Sequence, residues 1–276
     1  MSVATLAPPF TGTPKQRELA AAWHDPACRV LVAGGAIRSG KTQAAGRLLF
    51  ETAMQRPGAV FLVARATYRS LKDSTQKALL YGDGALPPLI DPEAVEQYRA
   101  SDEVVRLRNG AEILFRSLEE TGLSKLLNLT LAGVLVDQLE EVDGGDAGER
   151  LYDTLLGRLS DPRGPGKLLA VVNPASTSHW LYRRLVAERT RDPGAVYVHF
   201  TMRDNPHLPA EYVERMEETR ERRPHWYRSF VLGSWGAFEG AAFEEFDEGV
   251  HVVEPFRVPE GWDRWEALDH GAANPT

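Results

Sequence analysis

The sequence predicts an α/β fold in which a mainly parallel sheet carries helices on both faces. Short, continuous apolar segments alternate with helical stretches along most of the chain, as expected for strands buried on both faces. The alternation is interrupted once, where Asn109-Gly110 separates two strand-like segments with the two-residue spacing typical of a hairpin. We therefore expect an antiparallel edge or insertion beside the parallel strands.

Each predicted element follows from its local pattern. Strands are expected where a short apolar segment is bounded by turn residues, at 29–33, 59–64, 103–108, 111–116, 131–136, 168–172 and 196–201. Helices are expected near 42–55, 70–80, 147–158, 178–190 and 209–230. Charges of both signs alternate over 211–223, which we interpret as a solvated helix face. Aromatic residues and glycines over 230–253 indicate a compact linker or small subdomain.

Composition limits the classes of protein. A chain of 276 residues with 43% hydrophobic residues can bury one sizeable core and a smaller module. The net charge of −7 argues against a broad surface that wraps nucleic acid, although a few basic loops could still contact it. Cys28 is the only cysteine, which excludes an internal disulfide framework and suits a cytosolic protein. No apolar run is long enough to span a bilayer, and no signal-like N-terminus is present, so we expect no membrane association.

A glycine-rich loop joins the first predicted strand to the first predicted helix. Such a loop turns backbone N–H groups toward phosphate oxygens, and the helix N-terminus adds partial positive charge. Lys41 would reach the β- and γ-phosphates, and the Thr42 hydroxyl would hold Mg²⁺. The pattern G-x-x-x-x-G-K-T comprises Gly35, Ala36, Ile37, Arg38, Ser39, Gly40, Lys41 and Thr42. It predicts a nucleoside triphosphatase that binds ATP and magnesium.

A second motif supplies carboxylates. The apolar segment 131–136 ends in Asp137, which we expect beside Thr42 as a ligand of Mg²⁺ through water. The next residue, Gln138, cannot act as a base, so either Glu140 or Glu141 activates the attacking water, or Gln138 orients it. We slightly favour Glu141. The glutamate that is not used is explained equally well as a helix-terminal acid placed for dipole reasons.

Three weaker signals surround these motifs. Gln16, upstream of the first strand, could read an adenine edge, or it could belong to an ordinary helix start. Asn173 ends a strand and could sense the γ-phosphate, or it could form a strand-terminal turn. Arg38 could stabilise charge on the transferred phosphoryl group, or it could be an exposed loop side chain.

The ordered set of motifs resembles the large terminase subunit of tailed double-stranded DNA phages, the ATPase of genome packaging. The matching segments are 34–42, 63–67, 71–74, 115–117, 136–142, 173–174, 201–209 and 233–235. The resemblance implies a P-loop ATPase domain of the additional-strand catalytic-glutamate type, followed by an RNase H-like nuclease. We expect the ATPase domain at 1–205, a linker or lid at 206–256, and the start of the nuclease at 257–276.

The nuclease of this family opens with a strand that ends in a metal-binding aspartate. Residues 265–271 look like that strand, and Asp269 matches the aspartate, although an ordinary strand-to-turn aspartate is an alternative. The other metal-binding acids are absent, so we expect a fragment that does not cut DNA. The full-length protein would be a metal-dependent endonuclease.

The resemblance also implies a function and partners. ATP hydrolysis would drive double-stranded DNA into a procapsid, with several copies forming a homo-oligomeric ring on the portal protein in the host cytoplasm. A small terminase subunit would deliver the DNA. Loss of the γ-phosphate would be sensed at Asn173 and passed to the region after Asp204. Candidates for an arginine finger acting in trans, which the sequence does not rank, are Arg158, Lys125, Arg150 and Arg163.

Two other classes share the phosphate-binding motif. A helicase-like ATPase should have a second RecA-like domain; the roughly 75 residues given after Thr201 are too few for one, but a longer native chain could contain it. A small-molecule kinase or a non-hydrolysing nucleotide-binding module would not need the acids between Asp137 and Glu141. The acidic net charge would be compatible with a motor if basic contacts were confined to a narrow channel. Residues that could line it, or be plain surface charges, are Arg65, Arg69, Lys72 and Lys77.

Overall fold

One eight-stranded sheet organises the part of the chain that the structure describes. The computed structural model describes residues 12–83, 86–118, 126–142, 145–188, 190–236 and 256–262. The strands are β1 Val30–Gly35, β2 Val60–Arg65, β3 Val95–Arg99, β4 Val104–Leu107, β5 Glu112–Ser117, β6 Gly133–Asp137, β7 Lys167–Val172 and β8 Ala195–Phe200. Their order in the sheet is β3-β4-β5-β2-β6-β7-β1-β8.

Six of these strands run parallel, and β3 and β4 form an antiparallel edge. Strand β5 pairs parallel with β2 and antiparallel with β4, so the Asn109-Gly110 hairpin is the transition between the two parts. Strand β2 places Ala64 opposite Val136 of β6, and β6 places Asp137 opposite Val171 of β7. All the parallel strands therefore end at the same edge of the sheet, where the loop after β1 also lies.

Helices cover both faces of the sheet. They are α1 Pro14–His24, α2 Lys41–Met54, α3 Tyr68–Ser70, α4 Lys77–Leu80, α5 Asp146–Arg158, α6 Ala210–Glu217, α7 Thr219–Arg222 and α8 Pro224–Phe230. Residues Leu71–Gln76 and Tyr182–Val186 are π-helical, and Pro92–Ala94, Leu139–Glu141 and Met202–Asp204 are single 3₁₀ turns. One apolar core lies between the sheet and α1 and α2, and a second lies on the opposite face against α5. This arrangement confirms the predicted fold class.

The element predictions failed where local signals were weak. Strand β3 was missed because its exposed edge position gives it the polar sequence Val-Glu-Gln-Tyr-Arg. Helix α1 was not among the predicted helices, but the helix start given as the alternative for Gln16 is confirmed, since Thr13 forms a capping box with Gln16. The predicted helix over 178–190 is helical only over 180–186, and Tyr182–Val186 within it is π-helical. The predicted helix over 209–230 is three helices, and Pro224 begins the last of them.

The helices that follow β8 pack on the phosphate-binding loop. Ala36 of the loop forms a small apolar cluster with Met202, Tyr227 and Val231. The chain divides into two compact units, Met1–Glu239 and Gly240–Thr276, so the described part of 206–236 belongs to the first unit. The functional division at residue 205 stays a prediction. In the second unit, the rings of Phe256 and Trp262 meet edge to face at 6.0 Å. None of the helices described is both long and apolar enough to cross a membrane.

Candidate nucleotide-binding and hydrolysis site

The loop between β1 and α2 depends on glycine at two positions. Gly35 has φ 127° and Gly40 has φ 88°, conformations that side chains disfavour. A Cβ at Gly35 would also lie 2.0 Å from the carbonyl oxygen of Phe200. Arg38 has φ 55° without being glycine, which stores about 1–2 kcal/mol of backbone strain. Ser39 Oγ donates to the Ala36 carbonyl over 2.7 Å and closes the turn.

Neighbouring segments support this loop from outside. The amides of Ala36 and Ile37 donate to the carbonyls of Phe200 and Phe230 over 2.8 and 3.0 Å. The side-chain amide of Asn205 donates from Nδ2 to the Arg38 carbonyl over 2.7 Å. The end of β8, the turn after it and the end of α8 therefore all touch the loop directly.

Lys41 reaches back into the loop. Its Nζ donates to the carbonyl of Gly35 over 2.9 Å, to the carbonyl of Ala36, and to Ser39 Oγ over 3.3 Å. The residue is only 5% exposed. Burial lowers the pKa of the ammonium to about 8, although the nearby Glu140 and Asp137 carboxylates oppose the shift. The loop thus presents a desolvated cation, suited to an anionic ligand.

Asp137, the last residue of β6, is held by two hydroxyl groups from other segments of the chain. Thr42 Oγ1 donates to Asp137 Oδ1 over 3.0 Å, as the sequence predicts for a shared metal site. Thr75 Oγ1 donates to Asp137 Oδ2 over 2.6 Å, a contact that sequence reasoning missed. The next residue, Gln138, has φ 55° and turns the chain sharply into the 3₁₀ turn that carries the two glutamates.

Glu140 faces β7, where its hydrogen-bond partner is a neutral amide. Its Oε1 accepts a hydrogen bond from Asn173 Nδ2 over 2.7 Å. Although the residue as a whole is half-buried, its Oε2 is inaccessible and has no partner among the described residues. Burial raises the pKa of this carboxyl to about 7, and the charge of Asp137 adds to the rise, while the hydrogen bonds from Asn173 oppose it.

Glu141 faces β2 and forms an ion pair. Arg65 donates from Nη2 and Nε to its two carboxylate oxygens over 3.2 and 3.3 Å, and from Nη1 to the Ser70 carbonyl over 3.3 Å. Because Arg65 is only 8% exposed, the suggestion that it lines a DNA channel is wrong. The other three cations suggested for that channel, Arg69, Lys72 and Lys77, are exposed.

Gln16 and Arg38 lie beside the loop in different ways. The Gln16 side chain accepts from the Thr13 amide over 3.0 Å and donates to the Gly40 carbonyl over 3.1 Å, so it ties α1 to the loop. Arg38 lines a cavity of about 480 Å³ together with Leu208, Tyr212 and Arg215. Their roles toward adenine and phosphoryl charge stay predictions.

The remaining predicted residues lie elsewhere. Arg163 pairs with Asp161, and Arg158 donates to the Leu127 carbonyl, both near the amino end of β6 and away from the loop. Arg150 is exposed on α5. Lys125 and Asp269 lie outside the described residues, as does the segment 265–271.

The site fits Mg²⁺ with a substrate phosphate. Within the described ranges, no group of three or more histidine, cysteine or acidic side chains could hold a metal ion alone. Magnesium bound with a nucleotide needs no such group, since one carboxylate, a hydroxyl, water and phosphate oxygens suffice. Asp137 and Thr42, joined by a direct hydrogen bond, supply that pair.

This fold and loop define a P-loop nucleotide-binding protein. Residues 28–234, more than half of the chain, match the family model described as phage terminase large subunit, and the chain belongs to that family.

Relatives extend the comparison. Over 172 residues the chain is 27% identical to the PBSX phage terminase large subunit of Bacillus subtilis (strain 168), a match covering 56% of this chain and 36% of that protein. The solved large terminase of a thermophilic bacteriophage, in complex with ADP, shares the fold with a TM-score of 0.64 and 21% identity, over 90% of this chain and 59% of that one. The large terminase ATPase domain of Thermus phage P74-26 has a TM-score of 0.53 and 18% identity, over 79% and 92% of the two chains. The chain thus spans about a third of the curated relative it matches.

Proposed function

We propose that this chain hydrolyses ATP as the motor part of a packaging terminase. The observation that carries this proposal is the position of Glu140: a carboxyl of raised pKa, held by Asn173, close enough to Lys41 and Asp137 for their charges to interact. A carboxyl with a pKa near the working pH suits proton transfer from an attacking water. Membership of the terminase family and the P-loop fold support the choice of ATP as substrate.

Each residue of the site would have a distinct role. The loop amides and the Lys41 ammonium bind and orient the phosphates of ATP. Asp137 and Thr42 hold Mg²⁺, which would neutralise charge on the β- and γ-phosphates. Glu140 accepts the proton of the water that attacks the γ-phosphorus, while ADP leaves. Among the two candidate bases, Glu140 is favoured over Glu141 because Arg65 already occupies both oxygens of Glu141.

The same proposal covers movement and partners. Asn173, which contacts the base, and Asn205, which contacts the loop, are the groups that would pass the loss of phosphate to the helices after β8. The work done would be translocation of double-stranded DNA by a homo-oligomeric ring on the portal protein in the host cytoplasm, with DNA delivered by a small terminase subunit. The full-length protein would add a metal-dependent nuclease.

Steady-state ATP hydrolysis by this chain, with and without double-stranded DNA, tests the proposal. We expect Lys41→Ala to lose nucleotide binding and turnover, and we expect DNA, with no small acceptor molecule, to stimulate the wild type. Lys15→Ala is the matched control, because Lys15 pairs with Glu18 on the exposed side of α1. Equal turnover by Lys41→Ala and the wild type would refute the mechanism. Absence of turnover with retained ATP binding would point to a neighbouring subunit's arginine.

A further inference from the structure

A buried threonine after β2 forms the second hydrogen bond to the carboxylate of Asp137. Thr75 Oγ1 donates to Oδ2 over 2.6 Å, while Thr42 Oγ1 donates to Oδ1 over 3.0 Å. Thr75 is fully buried, and Asp137 is 2% exposed. The carboxylate is thus held at both oxygens by hydroxyls from two separate segments.

The fold explains how Thr75 reaches this position. Strand β2 lies beside β6, so the chain that leaves β2 emerges next to Asp137. It then forms the π-helical segment Leu71–Gln76, a conformation that is rare and is frequent at functional sites. Thr75 follows Leu71 and precedes Leu79 at intervals of four residues, and all three are fully buried.

Packing alone does not account for a threonine here. Leu71 and Leu79 belong to the hydrophobic core, so the position between them is apolar on its own segment. Burying a hydroxyl without a partner is unfavourable, and valine would fill a similar volume without that cost. The hydroxyl is accommodated because it meets Asp137.

We propose that Thr75 is a positioning residue that keeps the Asp137 carboxylate turned toward Thr42, in the orientation that binds Mg²⁺. This inference rests on the proposed function. Groups that hydrogen-bond a metal ligand set its orientation, and their loss weakens metal affinity. A carboxylate anchored only through Oδ1 would be free to rotate away.

Two substitutions separate the hydroxyl from the shape of the side chain. Thr75→Val removes the hydroxyl, and Thr75→Ser retains it. Thr52→Val is the matched control: this buried threonine of α2 accepts from Trp23 Nε1 over 2.9 Å and donates to the Leu48 carbonyl over 2.7 Å. It lies eleven residues along α2 from Lys41, about 16 Å at 1.5 Å per residue.

The measurement is the affinity of each variant for a fluorescent, slowly hydrolysed ATP analogue, with Mg²⁺ and with EDTA, beside its urea unfolding curve. We expect Thr75→Val to lose about 10–100-fold of the affinity with Mg²⁺ and to match the wild type in EDTA. Thr75→Ser should bind like the wild type, and Thr52→Val should lose stability but not affinity. If Thr75→Val does not fold, Thr75→Ala replaces it in the same comparison.

Two results would overturn the inference. One is an affinity of Thr75→Val for the analogue with Mg²⁺ that equals that of the wild type. The other is a loss of affinity in Thr75→Val that is as large with EDTA as with Mg²⁺, which would indicate a structural role alone. A wild type that fails to bind the analogue under both conditions would overturn the proposed function as well.

Discussion

The turn after β6 is flanked by β7 on one side and by β2 on the other, and its two neighbouring glutamates, Glu140 and Glu141, have opposite environments. On the β7 flank, Glu140 is held by a neutral amide, has one inaccessible oxygen, and carries a raised pKa. On the β2 flank, Glu141 is 38% exposed at its side chain and pairs through both oxygens with a buried guanidinium.

The two environments suit the two glutamates to different roles: Glu140 to proton transfer, and Glu141 to holding the turn against β2. A carboxylate without a cationic hydrogen-bond partner can take a proton at a pH near its raised pKa. One that accepts charge-assisted hydrogen bonds at both oxygens fixes the turn to β2 instead. Adjacent positions of one 3₁₀ turn thus differ because they face different strands.

The largest expected difference between the two flanks is in kcat, when each glutamate is replaced by glutamine. Glu140→Gln should lower kcat for ATP about 100–10,000-fold with nucleotide binding retained, since a proton acceptor is lost. Glu141→Gln should lower kcat less than about ten-fold, as positioning alone is weakened. Steady-state turnover and analogue binding measure both. A larger loss in Glu141→Gln would reverse the assignment.

The same two variants should differ in how their free energy of unfolding depends on pH. A carboxyl whose folded-state pKa, about 7, exceeds its unfolded value contributes stability that is fully present below the unfolded pKa and is lost as pH rises through about 7. Glu140→Gln does not titrate, so its free energy of unfolding relative to the wild type should rise by about 2–3 kcal/mol between pH 5 and pH 8. Urea unfolding at both pH values checks this, with Glu141→Gln as control. If this difference in free energy of unfolding is the same at both pH values, the ionisation of Glu140 does not destabilise the folded state.

Asn173 sharpens the comparison through the pH dependence of turnover. Hydrogen bonds from Asn173 hold down the pKa of Glu140, so Asn173→Leu should shift the rising limb of the rate–pH profile to higher pH. Arg65→Met, on the other flank, should leave that limb in place while lowering stability. Single-turnover rates between about pH 5 and pH 9, roughly two units either side of the Glu140 pKa of about 7, provide the measurement. A shift produced by Arg65→Met instead would place the titrating acid on the β2 flank.

The smallest expected effect is the ion pair itself. Glu141→Gln should lower the free energy of unfolding by about 1 kcal/mol, because the pair is partly exposed and Arg65 keeps its bond to the Ser70 carbonyl. A double-mutant cycle with Arg65→Met, measured at low and high salt, isolates the coupling. Zero coupling at low salt would remove the fixing role assigned to this flank.

The sequence predicts the fold and the strand ends better than it predicts contacts. Continuous apolar strands separated by helices define the parallel sheet, and the ends of such strands meet at one edge, so Lys41, Thr42, Asp137 and Asn173 are brought to the same region as expected. The hairpin at Asn109-Gly110 was equally readable, because its turn chemistry is local.

The partners of the two glutamates were not readable, since they depend on which strands flank β6. Nothing in the order of the chain places β2 on one side and β7 on the other. Thr75 carried a usable signal, being the polar member of a stripe with Leu71 and Leu79 in a predicted helix. That signal identifies a buried hydroxyl without identifying its partner.

At the phosphate-binding loop, three backbone segments meet with no side chain between them. A Cβ at Gly233 would lie 2.6 Å from the Ala36 nitrogen and from Gly35 Cα, and 2.7 Å from the Phe200 carbonyl oxygen. Contacts between main-chain atoms have no rotamers to absorb a shift, and packed interiors are nearly incompressible. We therefore expect the loop, the end of β8 and Gly233, three residues beyond α8, to shift together rather than separately. In the proposed mechanism, a displacement of the loop on loss of phosphate would therefore carry Gly233 with it through main-chain contacts alone.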